Sequence, residues 1–222
     1  MLTLGYTLRM LEAFLAAFVT FFVVIDPPGV APMFATLTQN TSRAWQKKMA
    51  FKSIGVATIV LLGFAFGGAW LLDKLHVSLD AFRIAGGALL FLIAVDMLFE
   101  TRTERREERN DKVLAEAARH PERYEDVSVF PLAIPLISGP GAIASIMLLF
   151  AENEAWAGKG MVLAGAGANL VLCLGAFLVA GPLTRLMGAT IAGMITRIFG
   201  ILLSALAVQF IVDGVKGAFA IG

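Results

Sequence analysis

The stretch Phe22-Val23-Val24-Ile25-Asp26-Pro27-Pro28-Gly29-Val30-Ala31-Pro32 decides how this chain is read. It lies inside an apolar run from Ala13 to Leu37 whose single charge is Asp26. About 20 apolar residues carry a helix across the hydrocarbon core, so the run is long enough to span. Two consecutive prolines nevertheless remove two backbone donors from the middle of it. A carboxylate and freed carbonyls are costly at membrane depth unless protein or a water-filled cavity surrounds them. The stretch therefore predicts a first span from about Leu8 to Leu37, interrupted at Pro27-Pro28, with a functional site at the interruption.

The composition agrees with a membrane protein. Apolar residues make up 58% of the 222 positions and the mean hydropathy is +0.80, above the roughly 45 to 50% of soluble domains. Ser53 to Leu72, Val127 to Ala151 and Gly160 to Thr184 contain no Asp, Glu, Lys or Arg. The net charge of +1 gives no reason to expect nucleic acid. Arg9 precedes an apolar stretch, as in a secretory signal, but no small-residue cleavage site follows and the stretch is kept as the first span. Cys173 is the only cysteine, so no disulfide or thiolate metal site can form within one chain; it reads as a small buried apolar residue.

Outward from the first span, a second covers about Lys52 to Leu72, with Gly63 and Gly67 spaced for close helix contact. A third runs from Phe82 to Phe99. A linker from Glu100 to Asp126 carries seven Lys or Arg and nine Asp or Glu, which predicts a solvated, partly helical connection. The fourth span, Ser128 to Phe150, is broken at Gly139-Pro140-Gly141. A fifth covers Met161 to Ala180 and a sixth about Thr196 to Val215, with Gly188 to Ile195 as a short interfacial segment before it. The expected fold is an all-α membrane protein with six transmembrane helices.

Landmarks recur in order. Asp26-Pro27-Pro28-Gly29 aligns with Ser138-Gly139-Pro140-Gly141 at an offset of 112, and Lys47 meets Lys159 at the same offset. Arg83-Ile84 meets Arg197-Ile198 at 114, with Gly86 opposite Gly200. The chain is thus expected to hold two three-helix repeats, residues 1–99 and 127–222, around the linker 100–126. Units with three crossings each must be inverted relative to one another, a recurrent transporter architecture. Loops after spans one, three and five hold twelve Lys or Arg, among them Arg43, Lys48, Lys52 and Arg185; the opposite side has Arg9, Lys74, Lys159 and Lys216. The positive-inside bias places the first group in the cytoplasm and both termini outside it.

Asp26 stands where a helix N-cap belongs, with proline next and glycine beyond, and Ser138 holds the matching place. In each repeat a helix would restart inside the membrane and aim backbone N–H groups and the positive end of its dipole at the break. Such ends attract carboxylates. The expected substrate site comprises Asp26, Pro28, Gly29, Ser138, Gly139, Gly141, Asn169 and Gln209. Asp26 could also take up a proton, since desolvation raises and N–H donors lower its pKa. Asp26, Asp96 and Arg197 are the candidates for ion coupling or ion pairing, while Arg83 and Arg197 also suit snorkelling to opposite interfaces. His76 and His120 fall in polar connections without a motif, so no catalytic residue, metal site or cofactor is expected and the chain does not read as an enzyme. Gly165-Ala166-Gly167-Ala168-Asn169 begins like a dinucleotide loop but lacks a third glycine, and helix packing accounts for it better.

The two motifs, Phe22 to Phe34 and Pro131-Leu132-Ala133-Ile134-Pro135-Leu136-Ile137-Ser138-Gly139-Pro140-Gly141-Ala142-Ile143, resemble those of the MarC family of bacterial and archaeal inner-membrane proteins, and the resemblance covers essentially the whole chain. In that family an apolar residue usually follows the first proline; Pro28 replaces it here. The resemblance implies six transmembrane helices and kinship with LysE-type exporters of amino acids and other small metabolites. The expectation is a multi-pass inner-membrane secondary transporter or exporter of a small polar metabolite, with amino acids as the substrate class, a proton or sodium ion as coupling partner and the bilayer around it. A homo-oligomer is compatible with this reading. The alternative is a non-transporting assembly or regulatory protein that keeps its helix breaks for packing.

Overall fold

In the computed structural model the described residues are 2–39, 41–99 and 126–219. The linker between 100 and 125, with its expected solvated helical state and His120, lies outside them, as does the Arg185 side chain. The regular elements among the described residues are helices, without a strand: α1 (Leu2–Ile25), α2 (Pro27–Leu37), α3 (Arg43–Lys74), α4 (Leu79–Leu98), an irregular coil (Ser128–Ile137), α5 (Pro140–Glu152), α6 (Trp156–Leu178) and α7 (Ala180–Phe219). Five stretches are long and apolar enough to cross a membrane, beginning with Thr7–Leu37, and a sixth is present when the coil and α5 are taken as one span bent by 57°.

The coil follows from its prolines. A residue before proline is pushed to extended backbone, and Phe130 (φ −126°, ψ 127°) and Ile134 (φ −126°, ψ 121°) are extended, each followed by a cis proline. Ser138 N–H reaches back five residues to the Ala133 carbonyl at 2.8 Å. Asp126 leads into the coil, accepting hydrogen bonds from the Ser128 N–H (3.0 Å) and hydroxyl and pairing with Lys52 on α3. Desolvation opposes the ionised form of Asp126, but these donors and the Lys52 charge together hold its carboxyl below the usual value.

Three helix pairings organise the bundle. α1 and α6 run parallel: Gly165 sits against Phe14, Ala17 and Phe18, and Phe177 stacks on Phe34 of α2 with ring centroids 4.4 Å apart. α3 runs parallel to the coil and α5, from Lys52 with Asp126, through Ala57 with Ser138, to Gly68 against Met147. α4 and α7 run antiparallel at close range, with Gly200 against Ala94, Met97 and Leu98, Gly87 against Ala207 and Ile211, and Gly214 against Asp80 and Ile84.

Two expectations change here. Gly63 and Gly67 face open space, and Gly68 is the glycine that α3 packs against α5. The buried face of α3 is Ala57, Leu61, Ala65, Gly68 and Leu72, a helical spacing that puts the other two glycines away from it. The segment from Gly188 to Ile195 is not separate either; it belongs to one 40-residue helix, because no proline interrupts it after Pro182. At 1.5 Å per residue that helix is about 60 Å long, twice the hydrocarbon thickness. The part that qualifies as a span is Gly193–Phe219.

The α1–α6 seam gives a clean contrast. A Cβ at Gly165 would lie 2.8 Å from Phe18 N and 2.9 Å from Phe14 O, atoms of a helix backbone that cannot turn away, whereas Gly167 meets nothing within 4 Å. Gly165→Ala is therefore expected to destabilise the purified protein by about 1–3 kcal/mol. Gly167→Ala should be neutral or stabilising by about 0.5–1 kcal/mol through helix propensity. Melting temperatures of the two variants side by side check this; equal shifts would show that the seam does not depend on Gly165.

Candidate functional site

The site grows from the turn at Asp26. Pro27 disfavours right-handed helical backbone at the residue before it, and Asp is among the few residues that tolerate the left-handed region. Asp26 is left-handed, at φ 56° and ψ 65°. Its N–H still donates to Phe22 O (3.0 Å), closing α1, and its carbonyl accepts from Gly29 N (2.9 Å) and Val30 N (3.0 Å), opening α2. The carboxylate caps the new helix: Oδ1 accepts from Gly29 N–H at 3.2 Å. Pro27 and Pro28 have no N–H to offer the carbonyls four residues earlier, Val23 and Val24, so the ladder lapses there without a loop.

Gly29 makes this geometry available. A Cβ there would lie 2.7 Å from Asp26 Cγ and overlap a carboxylate oxygen. The carboxylate lies over the first turn of α2, where N–H groups and the helix dipole favour negative charge. Asp26 is fully buried. From α7, Thr196 Oγ1 donates to Asp26 Oδ2 at 3.4 Å. On α6, Cys173 is also fully buried.

Asn169 lies one turn before Cys173 on the same α6 face and is fully buried. Its amide donates to Phe18 O (2.8 Å) and Gly165 O (3.0 Å). Its Oδ1 has no donor among the described residues. A buried acceptor without a donor costs free energy and calls for a partner. The α6 stripe Gly165-Asn169-Cys173-Phe177 thus lines the side of α1 and α2 that carries the break.

The second motif is differently built. Gly139, not Ser138, caps α5, and it does so without a side-chain hydrogen bond. The Ser138 hydroxyl instead donates to Ala57 O of α3 at 3.2 Å. The cap passes to Gly139 because the extended backbone there (φ −70°, ψ 171°) starts the helix one residue later, and a Cβ at Gly139 would lie 2.6 Å from Pro135 O. Gly141 brings the two breaks together: a Cβ there would lie 3.2 Å from Val24, two residues before Asp26, and 2.8 Å from Ile93 of α4.

Of the expected residues, Asp26, Pro28 and Gly29 form the first break, Gly141 packs beside it against Val24, Asn169 bonds α1 at Phe18, eight residues before Asp26, and Ser138 and Gly139 hold the second break against α3 and the coil. Pro28 is half-buried at the start of α2. Gln209 is exposed and donates to both carboxylate oxygens of Asp213 on its own helix, at 2.9 and 3.0 Å. Asp96 is half-buried near the end of α4, and Arg197 is exposed on α7 beside Thr196. Arg83 pairs with Asp80 (2.8 Å) and Glu152 (3.2 Å), tying α4 to the end of α5. Sequence reasoning passed over Thr196, whose signal was a hydroxyl next to the repeated Arg-Ile pair.

Residues 11–219 match the family described as MarC family integral membrane protein. A UPF0056 membrane protein of Archaeoglobus fulgidus is 34% identical over 205 residues, 92% of either chain. The UPF0056 membrane protein YhcE of Escherichia coli K12 is 34% identical over 203 residues, 91% of either chain. YvbG of Bacillus subtilis 168 is 32% identical over 206 residues, 92% of this chain and 94% of its own. These names state a membrane setting and no activity. No solved structure matches the chain.

Proposed function

The chain belongs to the MarC family of integral membrane proteins, and from that premise we propose that it is a secondary transporter or exporter of a small polar metabolite, an amino acid. The observation that carries this reading is the fully buried Asp26 carboxylate at the left-handed start of α2, with Thr196 reaching it from α7. An acid at that depth is expensive to keep for packing alone. The Gly29 and Val30 N–H groups at the start of α2 are taken up by Asp26 itself, and Asp26 offers a negative charge to an ammonium group or a coupling proton. The unsatisfied Asn169 Oδ1 supplies a further acceptor one turn from Cys173.

The helix pairing supports an inverted repeat. An in-plane twofold that exchanges the first span with the coil and α5, and α3 with α6, turns the parallel α1–α6 pair into the parallel pair of α3 with the coil and α5. It leaves α4 and α7 facing each other, antiparallel. The offset of 112 that relates Asp26 to Ser138 also relates Ala57 to Asn169, so the α3 residue that accepts from Ser138 has its repeat partner in the buried Asn169 of α6. In such folds the site lies at the repeat interface and one unit rocks against the other. The Lys and Arg distribution of the loops supports both termini lying outside the cytoplasm in a bacterial or archaeal inner membrane.

A thermal-shift screen of purified protein against the common amino acids tests the substrate class. At about 100 times its dissociation constant a ligand stabilises by about 2.7 kcal/mol, so at least one amino acid is expected to raise the melting temperature of the wild type and not of Asp26→Asn. No shift with any of them would remove amino acids as substrates.

A further inference from the structure

A cleft of about 490 Å³ opens at the far end of α3, away from Asp26, between α3, the start of α4, the end of α5 and the start of α6. Its floor is apolar, formed by Ala65, Ala69 and Met147. Its rim is charged, with Asp73 on α3 and Lys159 on α6. Ala65 and Asp73 are eight residues apart on one helix, so rim and floor are separated by about 12 Å. That is deeper than an amino-acid side chain and suits a length of acyl chain.

The rim charges are positioned for a ligand. Lys159 Nζ lies 5.1 Å from the Phe150 and 5.1 Å from the Trp156 ring centroid, which fixes the ammonium by cation–π attraction. Among the described residues no carboxylate pairs with it. Trp156, at the start of α6, is 73% exposed, and exposed tryptophans at span ends suit the headgroup region. The cleft therefore has an apolar shaft below one fixed cation and one anion.

We propose that this cleft binds a phospholipid whose headgroup carries both a phosphate and a primary ammonium. The phosphate meets Lys159, the ammonium donates to Asp73, and an acyl chain fills the shaft over Ala69. A headgroup with phosphate alone leaves Asp73 facing a like charge, and a quaternary ammonium has no N–H to donate to it.

Native mass spectrometry of the detergent-purified full chain, given equal amounts of phosphatidylethanolamine, phosphatidylglycerol and phosphatidylcholine with identical acyl chains, tests this. Phosphatidylethanolamine is expected to be retained about 10-fold over the other two, the effect of one hydrogen bond to a charged group. Lys159→Gln and Asp73→Asn, both at an open rim where folding is not at stake, should each erase that preference. Ala69→Trp, which fills the shaft, should lower retention of all three. Equal retention of the three lipids by the wild type, or a preference unchanged in both rim variants, would overturn the assignment.

Discussion

Asp26→Asn is expected to leave the protein folded and to remove its transport. Asparagine caps helices as well as aspartate does and tolerates the left-handed backbone that Asp26 adopts. Its side-chain oxygen can still accept from Gly29 N–H, as Asp26 Oδ1 does at 3.2 Å. What disappears is the charge. Hydrogen bonds to charged groups contribute about 1.5–3 kcal/mol, so losing one at the site should slow flux by about 10- to 100-fold. The melting temperature should change little, because a buried carboxylate is costly and its neutral isostere is not. Amino-acid flux in vesicles containing equal amounts of wild type and variant measures this, and unchanged flux would remove Asp26 charge from the mechanism.

Gly29→Ala should act on the same turn by the opposite route, preserving the charge and spoiling its seat. The new Cβ overlaps the Asp26 carboxylate, with Cγ only 2.7 Å away, and the carboxylate is fully buried with little room to rotate. Overpacking of this kind costs about 1–3 kcal/mol, and displacing the carboxylate also forfeits a cap worth about 1 kcal/mol. The clash has one partner, which makes it testable by a double-mutant cycle. In an Asp26→Ala background the obstructing atoms are gone and Gly29→Ala should cost little; residues in contact couple in this way, whereas independent ones add. Additive costs would mean that Gly29 is required for something other than clearance over Asp26.

Much of this arrangement is legible from residue types alone. A charge before two prolines and a glycine inside an apolar run defines a capped helix restart, and the structure places the cap on Asp26. The fourth span is bent next to the glycine-proline-glycine motif for a different reason. There the prolines at 131 and 135 already force extended residues before them, so the coil reaches Ser138 in a register that turns its hydroxyl toward Ala57 and leaves Gly139 to cap. Cap identity depends on that register, which residue type does not encode. The glycines make the same point. Spacing told that Gly63 and Gly67 share a face of α3, but only the neighbours decide that Gly68 is the one in contact. Thr196 comes to Asp26 from a helix more than a hundred residues away along the chain, and a proximity of that kind requires the helix pairing to be known.

If the Asp26 break is a transport site it must open, and cysteine accessibility reads that opening. Val30 and Ala142, each just past one of the two breaks, are 0% and 1% exposed, so a reagent reaches them only when the bundle opens. Single cysteines at these positions, in a Cys173→Ala background, are labelled with a membrane-impermeant maleimide from each side of sealed vesicles. Both positions are expected to label, and a transported amino acid to change the rate and the side from which they do so. No labelling of either position from either side, with or without amino acid or a pH step, while both label fully in denaturant, would mean that the break stays closed and is not a transport site.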